Sequence, residues 1–444
     1  MGPELSRRGL LKGGLGLGVG AAGAGTLGAL LEACGGGGQA PSRALTPTFY
    51  QWIFDTHPYV QVFNRKYGQS HKLDAKPAPV SGFGAQKFIA EAKDKTSSWD
   101  LYVGMTPFID TVDLAEAGVI EPWDDFIEKD VLDDIIPSIR AECTYKGKLY
   151  CWPFMTDITT LGWNSEQVGK AGLDPSTSPK TWDDLIAAAR KVKQSGAAPF
   201  GVTFDAHGWR SLCPITFSFD TNVTTSDGLF DFTSPAAVEA LQVMKRMKEL
   251  ANPDVLNPGT SDGGVNGTPD EGAFTARQVA YFVKYQNAPI RMSAKWPDPT
   301  QVAIGPLPSG GTGATVFWDT GSALFTYGGN KKAAAQYLKA LTTDVGFWKE
   351  SCAVGKNQAG QLPPFQSFWK KWKTDPPEWL PKWAPLVNDQ LAHSHAIHPS
   401  KWGLQQFVTG QPYWQKYLTG EESDPKKAMK DTMAAVRAEI KKNS

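Results

Sequence analysis

The chain has 444 residues, in which 45 Lys and Arg balance 45 Asp and Glu. This balance argues against a nucleic-acid carrier, because that role needs a basic surface that displaces counterions from phosphates. With 41% hydrophobic and 20% charged residues, the composition is that of a globular protein with a buried core. The length favours about two to three domains. The 16 Trp are unusually many.

The first 33 residues predict an export signal that is not part of the fold. Arg7 and Arg8 precede a Gly/Ala/Leu stretch that ends at Leu31 and has the length and weak hydrophobicity of a secretion signal. Cys34 follows and begins a flexible, glycine-rich tether over residues 34–44. The arrangement resembles a twin-arginine (Tat-type) lipoprotein leader. It implies that Cys34 is lipidated and anchors an extracytoplasmic protein to the bacterial cell membrane; the alternative is a plain secretion signal with an incidental cysteine.

The four remaining cysteines would meet an oxidising compartment after export and could be bridged. Cys143 and Cys151 flank a predicted hairpin turn at Lys146-Gly147, which would hold their sulfurs near each other. We therefore expect a Cys143–Cys151 disulfide and, by elimination, Cys213–Cys352. No Cys or His spacing indicates a zinc site, so neither a metal nor a cofactor is predicted.

Strands and helices alternate from the start of the mature chain. Residues 48–53 are β-rich, a helix ends near Gly68, and residues 100–104 form an apolar run typical of a buried parallel strand. Later helix starts are marked by Thr181, Pro235, Asn330 and Pro425. The pattern predicts an α/β fold. Because a single core rarely grows beyond about 250–300 residues, we expect two lobes.

An ordered set of short motifs spans most of residues 45–345. The most specific run contains Trp163-Asn164, then Ala171-Gly172-Leu173-Asp174-Pro175, and then Pro179-Lys180-Thr181-Trp182-Asp183. Phe232–Leu241 and Gly305–Pro308 follow. In this order they resemble the family 1 extracellular solute-binding proteins, the carbohydrate-binding subunits of ABC importers related to maltose- and trehalose-binding proteins. That family has Tyr where this chain has Trp163.

The resemblance implies a two-lobed, periplasmic-binding-protein-like fold with an interlobe ligand cleft. Hinge-connecting segments would lie near Cys151–Asp157 and near Val316–Phe325. The protein would be a monomer that captures a carbohydrate, delivers it to the permease subunits of an ABC transporter and catalyses no reaction. The implied lobes are residues 45–154 with 318–365, and residues 155–317 with 366–444.

Polar and aromatic residues at strand ends and crossings are candidates for the sugar site. Carboxylates, amides and Arg hold hydroxyl groups, while Trp and Tyr cover the flat C–H faces of a sugar. Open α/β sheets bind ligands at the carboxyl ends of their strands. The Trp content favours a di- or oligosaccharide. The candidate ligand-binding residues are Gln51, Trp52, Asp55, Thr106, Asp157, His207, Trp209, Arg210, Tyr285, Trp318 and Asp319.

Other interpretations stay open at this point. The same Trp residues could be packed core, and Asp157 or Asp319 could cap turns. A glycerol phosphate ligand would require several cations, for which Arg210 and Lys284 are the candidates. A polyamine would prefer carboxylates beside aromatic rings. An exported glycosidase would need two carboxylates at a fixed separation, which a sequence alone does not measure.

Overall fold

The structure, a computed structural model, describes residues 43–78, 86–258, 268–352 and 360–443. The predicted leader and Cys34 lie outside the described residues. Among the described residues, none of the helices combines the length and the apolar character that a membrane span requires.

Strands and helices alternate through this part of the chain. The strands are β1 (Pro47–Phe49), β2 (Lys76–Pro77), β3 (Leu101–Met105), β4 (Ile120–Glu121), β5 (Thr144–Tyr145), β6 (Lys148–Leu149), β7 (Trp152–Asn164), β8 (Phe200–Phe204), β9 (Val279–Tyr285), β10 (Val302–Gly305), β11 (Val316–Phe325) and β12 (His395–Ala396). The first helices are α1 (Gln51–Thr56), α2 (Pro58–Tyr67), α3 (Gln86–Lys93), α4 (Pro107–Glu116), α5 (Lys129–Asp134), α6 (Pro137–Glu142), α7 (Ser165–Lys170), α8 (Trp182–Ser195) and α9 (Leu212–Phe219). The later helices are α10 (Pro235–Lys248), α11 (Pro269–Thr275), α12 (Asn287–Ser293), α13 (Lys331–Thr342), α14 (Val345–Cys352), α15 (Gln366–Thr374), α16 (Trp383–Leu391), α17 (Gln405–Thr419) and α18 (Pro425–Asn443).

The two longest strands, β7 and β11, lie side by side at the centre of the main sheet. The order across that sheet is β2-β1-β3-β11-β7-β9-β8. β1 pairs in parallel with β2 and β3, and β8 pairs in parallel with β9, whereas β11 is antiparallel to both β3 and β7. In the β7–β11 register, Asp157 is opposite Trp318. The central pair contains the segments that the sequence predicts as crossings.

Two hydrophobic cores flank this central pair, as expected for a two-lobed α/β fold. The first core gathers around β1 and β3 and includes Phe49, Val103 and Trp348. The second gathers around β8 and β9 and includes Phe282 and Trp414.

The C-terminal segment contributes to both cores, which differs from the sequence-based division at residue 366. Helices α15 and α16 place Trp372 and Trp383 in the first core. Helices α17 and α18 place Trp414 and Met429 in the second core. An apolar stripe shows that a helix packs against something, but it does not tell which of two cores it covers.

Local signals in the sequence predict several element boundaries correctly. Thr181 Oγ1 accepts a hydrogen bond from the Asp184 amide at 3.1 Å, and the Asp184 carboxylate accepts one from the Thr181 amide at 3.0 Å. This capping box begins α8, which ends at Gly196 in the left-handed region, with φ of 72°. The predicted hairpin also forms, because Lys146 and Gly147 have φ of 49° and 76° between β5 and β6.

The β-rich segment at residues 48–53 is an exception. The strand β1 already ends at Phe49, and α1 begins at Gln51. Over so short a run, the apolar and β-branched residues of this segment fit either a strand or a helix. In the structure, Ile53 packs in the first core as part of the helix.

Both predicted disulfides are absent from the structure, in which Cys143, Cys151, Cys213 and Cys352 are buried free thiols. Cys143 and Cys151 do lie close together, with sulfurs within 4.8 Å of each other, as the hairpin implies. The Cys213–Cys352 pairing is wrong because these residues belong to different cores. The Cys352 thiol instead donates to the carbonyl oxygen of Gln361 at 3.1 Å.

Candidate functional site

A cleft is lined by residues from both lobes and from the two central strands. Its empty volume is about 550 Å³, part of which is open to solvent. The lining residues are Tyr50, Trp52, Gly104, Thr106, Asp157, Trp209, Arg210, Tyr285, Asn287, Trp318 and Thr320.

Three aromatic rings form one wall of the cleft. The Trp318 ring, on β11, meets Trp209 edge to face with ring centroids 5.1 Å apart, and meets Tyr285 in the same way at 5.3 Å. Phe108 on α4 packs against the other side of Trp209 at 5.3 Å. Because these contacts hold each ring in place, the wall offers apolar area that needs little further ordering when a ligand binds.

Arg210 is held against this wall, and its buried Nε has no hydrogen-bond partner among the described residues. Its guanidinium carbon lies 4.2 Å from the centroid of the Trp209 ring and 5.4 Å from that of Tyr285. Nη1 donates to the Asp205 carboxylate at 3.3 Å. Because an unpaired buried N–H is costly, Nε is a candidate donor to an oxygen of the ligand.

A buried charge network supports Arg210 from behind. Lys284, fully buried on β9, places Nζ 2.8 Å from Asp205, 2.7 Å from Asp270 and 3.1 Å from Glu271. Although burial opposes ionisation, the Lys284 ammonium, with His207 and Arg210, holds the pKa of Asp205 well below its usual range. Burial raises the pKa of Asp270 to about 6. Ion pairs with three carboxylates thus fix Lys284 in place.

Asp157 presents a carboxylate to the cleft from the central strand β7. Its Oδ1 accepts hydrogen bonds from Asn287 Nδ2 at 2.5 Å and from Gln286 Nε2 at 3.2 Å, and its Oδ2 accepts one from Gln361 Nε2 at 3.2 Å. Burial raises the pKa of Asp157 to about 6, so the group is ionised at neutral pH. Amides from three different positions thus fix its orientation.

Gly104 allows Tyr50 to approach the cleft. Its φ is 133°, a conformation that residues with side chains rarely adopt. A Cβ atom at this position would lie only 2.4 Å from Cβ of Tyr50. The glycine at the end of β3 is therefore required for the position of Tyr50.

Seven of the predicted site residues come together in the cleft: Trp52, Thr106, Asp157, Trp209, Arg210, Tyr285 and Trp318. Gln51 and Asp55 do not line it. They lie one turn apart on α1, where Gln51 Nε2 donates to Asp55 Oδ1 at 2.8 Å, and they line a separate surface groove. The sequence places both residues after the end of the first strand, where a ligand contact is expected, but in the structure they belong to α1 and contact each other.

His207 and Asp319 also lie outside the cleft lining. The backbone amide and Nδ1 of His207 both contact Asp205 Oδ1, at 2.8 and 2.7 Å, so His207 is held by the same carboxylate as Arg210. Asp319 points to the opposite face of β11 from Trp318, because side chains alternate along a strand. Its carboxylate accepts hydrogen bonds from the Phe154 amide at 3.0 Å and from Thr156 Oγ1 at 3.1 Å. Burial raises the pKa of Asp319 well above its usual range.

Sequence reasoning missed four residues of the lining, Tyr50, Gly104, Asn287 and Thr320. Thr320 shares a face of β11 with Trp318 two residues earlier, so strand periodicity could have identified it. Asn287 lies two residues after the end of β9, where a ligand contact is expected. Tyr50 and Gly104 depend on the close approach of β1 and β3, which no short pattern in the sequence signals.

Two solved structures share this architecture. The GacH receptor of Streptomyces glaucescens GLA.O, solved unliganded and in complex with acarbose, matches with a TM-score of 0.70 and 19% identity, over 89% of this chain and 98% of its own. Maltose-bound MalE3 of T. maritima gives a TM-score of 0.70 and 18% identity, over 89% and 99%. At these identities the likeness establishes the fold.

Curated relatives match only part of the chain. The sn-glycerol-3-phosphate-binding periplasmic protein UgpB of Brucella abortus (strain 2308) is 28% identical over 185 residues, which is 38% of this chain and 40% of UgpB. The chain spans 59% of the length of the first curated relatives that it matches, at 23% identity. The family model for bacterial extracellular solute-binding proteins, however, matches residues 45–346, well over half of the chain. This extended match confirms the resemblance seen in the sequence motifs, and the chain therefore belongs to the family of bacterial extracellular solute-binding proteins.

Proposed function

We propose that the protein captures a carbohydrate, a di- or oligosaccharide, in the cleft and delivers it to the permease subunits of an ABC transporter. The observation that carries this proposal is the composition of the cleft. Fixed rings of Trp209, Tyr285 and Trp318 stand beside Asp157 and the unpaired Nε of Arg210. Apolar faces next to a few oriented donors and acceptors match a sugar, which has flat C–H faces and a rim of hydroxyl groups.

The position of the cleft also suits delivery. Its lining comes from both lobes and from the strands that join them, so a ligand that contacts all three stabilises the closed arrangement of the lobes. A permease that recognises the closed form would then receive loaded protein. We propose that a monomer does this outside the cytoplasm.

We also propose that the protein binds its sugar and does not hydrolyse it. Glycoside hydrolysis uses a pair of carboxyl groups about 5–9.5 Å apart across the scissile bond. Among the described residues that line the cleft, Asp157 is the one carboxylate. This composition supports a binding protein and not a glycosidase.

Intrinsic Trp fluorescence together with thermal unfolding tests the proposed function. The purified protein would be titrated with maltose, trehalose and longer maltodextrins. We expect a saturable fluorescence change, because three Trp line the cleft, and a melting temperature that rises with ligand concentration as mass action requires. A response to none of a broad panel of saccharides, or release of free sugar from the oligosaccharides, would contradict the proposal.

We also propose that Cys34 anchors the protein to the membrane through a lipid, which rests on the leader motif alone. Replacing Cys34 with Ser should move the exported protein from the membrane fraction to the soluble fraction, since no acyl chains would be attached. Immunoblots of the two fractions and the intact mass of the mature chain would measure this. Retention of the Cys34→Ser chain in the membrane fraction would show that Cys34 is not the anchor.

A further inference from the structure

We infer that the cleft selects its ligand by charge, taking an uncharged polyhydroxyl compound and rejecting phosphate esters, with Asp157 as the residue that imposes the rejection. This inference rests on the proposed function and narrows its substrate class. It separates this chain from a relative named for binding glycerol 3-phosphate, although the sequence offers Arg210 and Lys284 as candidate phosphate contacts.

The cations near the cleft are already neutralised by buried carboxylates. Lys284 lies within ion-pair distance of Asp205, Asp270 and Glu271. Arg210 pairs with Asp205 at 3.3 Å, and Arg291 lies 3.6 Å from Glu271. Three cations thus face three carboxylates, and their formal charges cancel. The network leaves no net positive charge to attract a phosphate group.

Asp157 then adds a negative charge that its hydrogen-bond partners do not neutralise, and Arg291 and Arg210 act on it only from beyond ion-pair distance. Its three hydrogen-bond donors, Asn287, Gln286 and Gln361, are all neutral amides. Among the described residues, no Lys, Arg or His nitrogen forms an ion pair with it. A phosphate ester bound beside this carboxylate would be repelled, and the repulsion is strong where the protein excludes water. A sugar hydroxyl, in contrast, can donate to it.

Arg210 completes the selection from the other side. Nη1 already donates to the Asp205 carboxylate, which lowers the attraction of the guanidinium for an anion, and the unpaired Nε can donate to one acceptor atom of the ligand. A hydroxyl or ring oxygen supplies such an acceptor. The fixed positive charge of Arg210 over the Trp209 ring also occupies the aromatic surface that a polyamine would use. A polyamine would therefore meet the positive charge of Arg210 at the Trp209 ring.

Matched ligands that differ only in charge test this selection on the wild-type protein. Isothermal titration calorimetry would compare trehalose with trehalose 6-phosphate and glucose with both glucose 6-phosphate and glucosamine, together with glycerol 3-phosphate and spermidine. We expect an uncharged saccharide to bind best and the phosphate ester of the same sugar to bind at least 100-fold more weakly. Tighter binding of glycerol 3-phosphate, of any sugar phosphate or of spermidine would overturn charge selection while leaving solute binding intact. If none of the probes binds measurably, the proposed carbohydrate function would be overturned, and this inference with it.

The variant Asp157→Asn tests whether Asp157 is the residue that rejects phosphate esters. It removes the charge at nearly constant shape, so we expect the ratio between sugar and sugar phosphate affinities to fall at least tenfold. Asp375→Asn, which removes an exposed carboxylate after α15, is the matched control and should keep the wild-type ratio. A wild-type ratio in a folded Asp157→Asn protein, as judged by its melting temperature, would show that another group rejects the anion. Should Asp157→Asn not fold, the comparison on the wild-type protein still decides whether the cleft rejects anions.

Discussion

Replacing Trp318 with Ala is expected to weaken ligand binding about 100-fold, which corresponds to about 2.7 kcal/mol. The Trp318 ring lines the cleft, is only 5% exposed, and contacts both Trp209 and Tyr285 edge to face. Its loss removes an apolar face for the ligand and also frees the two neighbouring rings, which would then have to be ordered on binding. Calorimetric titration with the sugar that binds best would measure the change.

Trp318→Phe is the matched control for this prediction. A smaller aromatic ring at the same place keeps part of the apolar face, so we expect affinity within about tenfold of the wild type. Equal affinities for the wild type and a folded Trp318→Ala protein would show that the ring is packed core and makes no contribution to binding.

The second large effect concerns stability and the buried Lys284. Replacing Lys284 with Met should reduce the free energy of unfolding by about 3–5 kcal/mol, because Asp205, Asp270 and Glu271 would remain buried without their shared cation. Urea unfolding at pH 7 would measure the loss. Lys170→Met is the control, since Lys170 pairs with Glu166 at an exposed position, where solvent screens the ion pair, and should change the stability little.

The loss at Lys284 should also depend on pH in a definite direction. In the wild type, Lys284 helps to hold the pKa of Asp205 well below its usual range, so this contribution to stability is present at neutral pH and disappears on strong acidification. Asp205 and Glu271 keep Arg210 and Arg291, but without Lys284 burial would raise the pKa of Asp270 further above that in the unfolded chain. The stability of Lys284→Met should therefore increase as pH falls from 7 to 5. A deficit relative to the wild type that stays constant across this range would argue against the uncompensated charges as its cause.

Short-range signals predict much of the fold but not the assembly of its two cores. The capping box at Thr181, the hairpin at Lys146-Gly147 and the helix that starts at Pro235 are each fixed by a few neighbouring residues, and each forms. Which core a helix joins is decided by contacts far apart in sequence. For this reason, local patterns do not predict that residues 366–391 join the first core. They also do not predict that Cys213 and Cys352 belong to different cores.

The same limit applies to the candidate site. Trp318 lines the cleft from the crossing strand β11, whereas its neighbour Asp319 lies on the opposite face of that strand, as strand alternation requires. The network around Lys284 brings together residues from β9, from α11 and from the loop after β8. Nothing in the local sequence of any one of these segments shows that it meets the other two.

The four buried thiols are divided unevenly between the two cores, with Cys143, Cys151 and Cys352 in the first and Cys213 in the second. A small thiol reagent can modify a buried sulfur only while the surrounding structure is transiently open, so each reaction rate reports the free energy of a local opening. Mass spectrometry that assigns the adducts to individual cysteines would follow each lobe separately. The four cysteines are therefore natural reporters of local opening. A comparison of their reaction rates with and without ligand would show whether ligand binding stabilises one lobe or both.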